Sequence, residues 1–286
     1  MNRAIVRYRV KLLLKRAAAG ALSLRAPRVD RGAPAVTVYV VSYNTRAATE
    51  LAIRTLRRHT RYPNYTLRVI ENGSTDGSLE ALRTLKAELG FELLEAEAPH
   101  LHAHWLDYAL RETATPYWFA VDSDLVLLGR DWLADMMVRF MADRDLYLVG
   151  AEQVPGGVGV EPVGGKTVDA GEHVSTWLFG VRTDLRLLVD TSFAFHHGGT
   201  DAETGIERVF DSGGKLLFDM RERGLRYGFM PAWYLAKYYH FGQLSWAFNY
   251  DIPDERRALK VFQLAQIEQW TRRLAASGHT LTGAAT

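Results

Sequence analysis

Alternating strand-like and helix-like segments over the first 125 residues constrain the fold more than any other feature. A run rich in Val and Tyr at 36–43, an apolar run at 66–70 and a short strand-like run at 91–94 each precede a stretch with helical spacing. A fourth run, 117–121, is apolar throughout, which is typical of a parallel strand covered on both faces. Strands alternating with helices predict a doubly wound, mostly parallel α/β sheet with flanking helices.

The second half of the chain is less regular. We expect a surface loop or hairpin at the glycine-rich stretch 155–165, an apolar strand at 174–181, and helices at 214–223 and 253–275. The chain then divides into three parts. Residues 1–33 form a basic helix and linker, residues 34–250 the α/β domain, and residues 251–286 a C-terminal amphipathic helix and tail.

Composition excludes several classes. With 286 residues, 48% of them hydrophobic, the chain can bury a sizeable core, so it is neither disordered nor collagen-like. It has no cysteine, which excludes disulfides, thiolate metal sites and cysteine nucleophiles.

The N-terminus is strongly basic and the rest of the chain mildly acidic. The first 28 residues hold eight basic residues and no acid, whereas the remainder holds 27 bases against 33 acids, a net charge of −6. A helix over 2–19 would place Val6, Val10, Leu13 and Ala17 on one arc. The arc has basic flanks, which are Arg3, Arg7 and Lys11 on one side and Arg9 and Arg16 on the other.

This pattern suits an anionic membrane surface contacted through residues 1–28. It fits equally well a solvated helix packed on the domain, or a disordered arm. No apolar run approaches the roughly 18 to 20 residues of a membrane span, and Lys15 and Arg16 interrupt any signal-peptide core. We therefore expect a cytoplasmic chain, peripheral at most on the inner face of a membrane, with no specific nucleic-acid partner.

The sequence Asp122-Ser123-Asp124 follows the fourth apolar run directly. Open α/β sheets bind ligands at the carboxyl ends of their strands, and two acids at this position, near solvent, can share a divalent cation. The alternative is that the strand runs out into a polar turn and one of the two acids caps the next helix near Arg130.

Two further loops occur after strands in the same order as in a known family. The first strand ends in Ser42-Tyr43-Asn44, and the second leads into Glu71-Asn72-Gly73-Ser74-Thr75-Asp76-Gly77. Together with the D-x-D sequence, these loops resemble the family 2 glycosyltransferases of the GT-A fold, over residues 36–246. The resemblance implies a metal-dependent, inverting transfer of a sugar from a nucleotide-diphosphate donor to a glycan or lipid-linked acceptor.

The resemblance also implies roles for individual residues. Asn44 and Glu71 would contact the nucleotide, with Glu71 at a position where the family usually has Asp. Asp122 and Asp124 would hold the ribose and the metal, and His104 would lie beside the donor, with a plain surface or core histidine as the alternative. Asp76 matches the family's second acid in its loop, but capping the following helix is the better interpretation.

Two more positions follow from the resemblance. His240, in the segment 239–246, would be a third metal or phosphate contact, and an imidazole beside carboxylates suits Mn²⁺ as well as Mg²⁺. Asp211 precedes a helix and would be the base that takes the acceptor's proton. A cap role for Asp211 stays open, and Asp201, Glu203 and Glu207 are competing candidates for the base.

The acceptor side is less defined by sequence. Trp177, Phe179 and the loop 196–199 could line an acceptor, although core packing explains both aromatic residues equally well. Two other functions also remain. One is a haloacid-dehalogenase-type phosphatase with Asp122 as nucleophile and Asp124 as acid, although the Gly-Asp pair of that family is absent. The other is a nucleotide-sugar binding module without catalysis.

Overall fold

In a computed structural model of the chain, the structure describes residues 3–24, 29–30, 32–160, 167–242, 244 and 254–276. The helices are α1 (Arg3–Ser23), α2 (Arg46–His59), α3 (Ser78–Leu89), α4 (His102–Glu112), α5 (Trp132–Ala142), α6 (Gly214–Glu222) and α7 (Asp254–Ala276). Short 3₁₀ helices span Thr183–Leu187 and Ala232–Lys237. The strands are β1 (Val36–Ser42), β2 (Tyr65–Glu71), β3 (Glu92–Glu95), β4 (Tyr117–Asp122), β5 (Leu125–Leu127), β6 (Leu146–Gly150), β7 (Gln153–Val154), β8 (Gly157–Val160), β9 (Thr167–Ala170), β10 (His173–Val174), β11 (Leu178–Arg182), β12 (His196–Thr200), β13 (Glu207–Phe210), β14 (Arg226–Phe229) and β15 (Tyr238–His240).

The central sheet has seven strands in the order β14-β6-β11-β4-β1-β2-β3. All neighbouring pairs are parallel except the two that involve β11, which runs antiparallel to both β4 and β6. The predicted α/β class with a mostly parallel sheet is therefore confirmed. The apolar run expected at 174–181 is not one strand, because β10 ends at Val174 and β11 begins only at Leu178.

Helices cover both faces of this sheet. Along β1, the side chains of Val36, Val38 and Val40 pack into a core formed with α2, α3 and α5, while Tyr39 packs into a second core with α4 and α6. β4 divides in the same way, with Phe119 in the first core and both its neighbours in the second. Burial on both faces explains why these strands have no polar alternation.

A smaller four-stranded sheet, in the order β12-β13-β9-β8, lies in the region where periodicity was weak. β8 lies within the glycine-rich stretch and pairs antiparallel with β9, which follows that stretch, as in a hairpin. The remainder of that stretch, residues 161–166, lies outside the described residues.

α1 packs against the domain. Tyr8 is buried against the rings of Tyr239, Phe241 and Phe262, which come from β15, the residue after it, and α7. In the structure, the helix expected at the N-terminus spans Arg3–Ser23 and packs on the domain through this ring cluster. The helix extends to Ser23, one turn beyond the expected end. Among the described residues, no helix has the length and apolarity needed to cross a membrane.

Candidate active site at the carboxyl edge of the sheet

The carboxyl ends of three neighbouring strands meet at one edge of the sheet. In the parallel register, Ser42 of β1 lies beside Glu71 of β2, and Val41 lies beside Asp122 of β4. A fourth element joins them because β15 pairs antiparallel with β5, which sets His240 opposite Leu125. The three loops that the sequence singled out therefore lie side by side.

Asp122, Asp124 and His240, which we call the cation cluster, have potential ligand atoms within 4.8 Å of one another. His240 Nε2 lies 2.9 Å from Asp124 Oδ1 and 3.4 Å from Asp122 Oδ2. Two carboxylates and one imidazole are a donor set that Mn²⁺ and Mg²⁺ both accept. Neither acid caps the next helix. The N-cap residue of α5 is Asp131, and no side-chain capping hydrogen bond forms there.

The carboxylates control the charge of the imidazole. Burial alone would lower the pKa of His240, but hydrogen bonds and charges from Asp122 and Asp124 outweigh it and raise that pKa to about 10. Burial acts to raise the pKa of Asp124, yet the bonds to His240 and to the backbone N–H of Leu244 lower it overall. Without a cation, the cluster is therefore an ion pair held by a protonated histidine.

Asp124 is less accessible than we expected of a strand-end acid. Its exposed fraction is 8%, and its backbone oxygen accepts the N–H of Phe241. Pairing of β15 with β5 covers it, a long-range contact that strand periodicity does not reveal. Asp122 remains partly exposed, with one quarter of its side chain accessible.

Trp177 forms one wall of the cluster. Its ring stacks on His240 with centroids 5.0 Å apart and planes inclined by 17°, and its backbone oxygen accepts the N–H of Asp122. Of the two aromatic residues suggested for the acceptor, only Trp177 lies here. Phe179 is fully buried in the core between β11 and α6.

Asn44 and Glu71 both support the loop 71–78. The carboxylate of Glu71 accepts the N–H groups of Gly73 and Ser74 at 3.1 and 2.8 Å, and Asn44 Oδ1 accepts the N–H of Thr75 at 2.8 Å. Asn44 adopts a φ of 49°, in the left-handed region that Asn tolerates. The side chains predicted to contact the nucleotide thus shape the edge on which it would lie, and their contact with it stays a prediction.

Asp76 joins two helix starts. Its carboxylate accepts the backbone N–H of Arg46, the first residue of α2, and that of Ser78, the first residue of α3. This agrees with the expected capping role, although Gly77 occupies the N-cap position itself.

His104 does not reach the cation cluster. It is exposed at the start of α4 and stacks on His100 with centroids 4.3 Å apart. The histidine that approaches the cluster is His102, whose Nε2 lies 3.7 Å from Asp122 Oδ1. Two residues along a helix turn the side chain about 200° away, so the spacing of α4 from the D-x-D sequence could not separate the two histidines.

Asp211 lies in the turn before α6 and is exposed. Within the part of the chain that the structure describes, its side chain accepts only the N–H of the adjacent Ser212, and Gly213 is the N-cap residue, so a capping role for Asp211 is not observed. Gly213 packs against Val174 and Thr176, just before the tryptophan that stacks on His240.

Two of the three competing acids make side-chain contacts of their own. Asp201 accepts the N–H groups of Glu203 and Thr204 and holds its own turn. Glu207 contacts His197 Nδ1. This contact also occupies the loop 196–199 that was suggested for the acceptor.

Glu152 is a second residue that sequence analysis missed. It follows β6, accepts a hydrogen bond from the hydroxyl of Tyr238, and pairs through its backbone with Ser175. No motif marks it, because its position depends on the return of β11 and β15 to this edge.

In the segment 239–246, residues 243, 245 and 246 lie outside the described residues, including the Ser of the expected His-x-x-x-x-Ser pattern.

Comparisons with known proteins bear on this site. The family model described as glycosyl transferase family 2 matches residues 37–199, more than half of the chain. Among solved structures, the mannosyltransferase PcManGT from Pyrobaculum calidifontis, in complex with GDP-Man and Mn²⁺, is 15% identical over 98% of this chain and 87% of that chain, with a TM-score of 0.44. TarS 1-349 from S. aureus is 16% identical over 87% and 74%, with a TM-score of 0.47. Curated protein sequences gave no match.

Proposed function

The chain belongs to glycosyl transferase family 2, and on that premise we propose that it transfers a sugar with inversion from a nucleotide-diphosphate donor to a hydroxyl acceptor, using a divalent cation. That it is a glycosyltransferase follows from the family. The family also sets aside the phosphatase alternative. We further propose a glycan or lipid-linked intermediate as the acceptor, and a cytoplasmic location, beside a membrane when the acceptor is lipid-linked.

The cation cluster is the observation that carries metal dependence. Three ligands of suitable type converge from β4, the turn after it and β15 at the edge where this fold class binds ligands. When bound there, Mn²⁺ or Mg²⁺ would neutralise charge on the departing diphosphate. Asp122, Asp124 and His240 would hold the ion, and Trp177 would keep the imidazole in place.

We propose the carboxylate of Asp211 as the catalytic base. Inversion requires the acceptor oxygen to bond to the anomeric carbon as the bond to the diphosphate oxygen breaks on the opposite face, while the hydroxyl proton passes to a carboxylate. Asp211 is exposed, and among the described residues its carboxylate accepts a bond from the amide of Ser212 alone, so it has an oxygen available to receive that proton. Its turn packs beside the segment that leads to Trp177.

A thermal-shift measurement tests the metal and the donor together. A ligand that binds only the folded state stabilises it by mass action. We expect UDP, GDP or another nucleoside diphosphate to raise the melting temperature in Mn²⁺ but not in EDTA. Asp122→Asn should abolish that rise, whereas Asp145→Asn, in an exposed turn beside Arg226, should retain it. Equal stabilisation with and without the cation would contradict metal-dependent donor binding.

Product analysis tests catalysis and stereochemistry. Nucleoside diphosphate released from the matching nucleotide-sugar only when an acceptor is present establishes transfer to that acceptor and not to water. An anomeric configuration opposite to that of the donor, measured by NMR, establishes inversion. Donor binding without release under any acceptor would instead identify a binding module.

A further inference from the structure

The helix α1 carries a second apolar stripe, on the side turned away from the domain. Val10, Leu13 and Leu14 have exposed fractions of 51%, 70% and 65%. Ala17, on the same side of the helix, is exposed as well. We call these four residues the outer face. They include most of the arc predicted from the sequence, so that arc does not pack on the domain.

The opposite side of α1 already satisfies its contacts with the domain. Tyr8 and Ala19 are buried, and Lys15 Nζ donates to the backbone oxygen of Tyr238. A helix that docks by one face is normally polar on the other. Within the described residues, the outer face therefore adds little to the packing of the domain, and this packing does not explain its leucines.

Basic residues border the outer face on both sides. Arg7 and Lys11 lie along one flank, and Arg9 and Arg16 along the other. Arg9 stacks over Phe262 and Arg16 over Trp270, at 4.8 and 4.9 Å from the ring centroids. These stacks hold both guanidinium groups beside the helix. The first 28 residues contain no acid that would offset this charge.

We propose that the outer face of α1 docks on an anionic phospholipid bilayer, with the helix lying in the plane of the interface. An apolar stripe between basic flanks matches acyl chains bordered by anionic headgroups. A second copy of this chain fits less well, because two such faces would bring like charges together.

Docking would also place the candidate site near the lipid. The inner side of α1 contacts β15, the strand that carries His240. A lipid-linked acceptor could then reach the site from the same bilayer. This consequence rests on the proposed function, whereas the docking itself does not.

Co-sedimentation of the full chain with vesicles tests the proposal. We expect binding to vesicles of equal parts phosphatidylcholine and phosphatidylglycerol, little binding to phosphatidylcholine alone, and release at high salt. The double variant Leu13→Ser/Leu14→Ser should weaken partitioning by about tenfold or more. Arg7→Gln should weaken it about fivefold. The melting temperature should not change, because these side chains are exposed.

Matched controls lie elsewhere on the surface. Leu187 is 80% exposed in a 3₁₀ helix, and Arg61 is an exposed cation after α2. Leu187→Ser and Arg61→Gln should bind vesicles like the wild type. Transfer to a soluble acceptor should be unchanged in every variant, so failure of docking and failure of the proposed catalysis are distinguishable.

A fluorescent probe reports the orientation directly, since the chain has no cysteine of its own. A polarity-sensitive dye on Leu13→Cys should shift to the blue with anionic vesicles, and the same dye on Leu187→Cys should not. Unchanged partitioning of the leucine variant, equal binding to neutral vesicles, or a dye at position 13 that stays in water would overturn the proposal. So would dimerisation that the leucine variant abolishes, because the outer face would then be an interface between copies.

Discussion

Asp124 is both buried and charged, and its position has two separable consequences. Its carboxylate is one of three candidate ligands for a cation, and it is also the closest partner of His240 in the ion pair. Asn in its place keeps the size and one acceptor oxygen, whereas Ala removes both. The two substitutions therefore separate ligand chemistry from folding.

Asp124→Asn should lower the cation-dependent affinity for a nucleoside diphosphate at least tenfold, measured by calorimetry, with little loss of stability. Asp124→Ala should in addition reduce the free energy of unfolding by about 3 kcal/mol in urea titrations, because it also removes the side-chain oxygens that accept bonds from His240 and from the backbone N–H of Leu244. Wild-type affinity in the Asn variant would remove Asp124 from the cation site.

Asp211→Asn should lower turnover by about 10² to 10⁴ while donor affinity stays near the wild-type value. The amide keeps the shape and the bond to Ser212 but cannot take a proton. Asp201→Asn is the matched control, and since Asp201 holds a turn, it should affect stability more than turnover. Near-normal turnover of the Asp211 variant would mean that the base has to be sought at Asp201, Glu203 or Glu207.

At the scale of elements, the loop 71–78 is stabilised from beneath by the strand ends. Glu71 is nearly inaccessible, and both its oxygens accept backbone N–H groups of the loop. Asp201 accepts the amides two and three residues on in the same way, so an Asp at position 71 could also make these bonds.

Glu71→Gln should reduce the free energy of unfolding by about 2 kcal/mol, because its NH₂ group faces an N–H that has lost its acceptor. If Glu71 also contacts the base, as the resemblance implies, the preference among nucleotides should change as well, as measured by competition binding. Glu80→Gln, at an exposed position in α3, is the control. An unchanged preference would limit Glu71 to holding the loop.

α1 is also part of the fold at this scale, so deleting residues 1–28 would not test membrane binding alone. Tyr8→Ala should cost about 3 kcal/mol of unfolding free energy, since it removes a ring packed against three others. Tyr8→Phe should cost almost nothing, because the buried hydroxyl has no hydrogen-bond partner among the described residues. Urea unfolding of both variants measures the difference, and equal losses would contradict this packing.

At the scale of the whole molecule, folding shifts the pKa values of two histidines in opposite directions. Burial, together with the charges of Arg58, Arg130 and Arg61, lowers the pKa of His59 to about 4. Its contribution to stability is present above the unfolded-state pKa of about 6.5 and is lost as the pH falls towards 4. His240, with a pKa of about 10, contributes fully below about 6.5, and its contribution is lost as the pH rises towards 10.

The protein in EDTA should therefore be most stable near pH 6.5, as measured by urea unfolding across the pH range. His59→Gln should flatten the acid side of that curve, and His240→Gln the alkaline side. A curve whose alkaline side is the same in the His240 variant would mean that the imidazole is not paired with the two aspartates.

Sequence alone predicted the part of the molecule that local periodicity controls. The apolar run before Asp122 and the turn residues after β1 and β2 defined the parallel strands and their ligand-binding edge. What remained hidden depends on long-range pairing. Examples are the burial of Asp124 under β15, the position of Glu152, and the choice between His102 and His104, which requires the rotation of α4.

The pairing of β5 with β15 has a consequence for synthesis. Asp122 and Asp124 leave the ribosome long before His240, and only the finished pairing brings the three together. A nascent chain that ends before β15 has two neighbouring acids and no third ligand. The complete cation cluster would form only after residue 240 has left the ribosome. An incomplete polypeptide would therefore not bind the nucleotide-sugar donor through the cation.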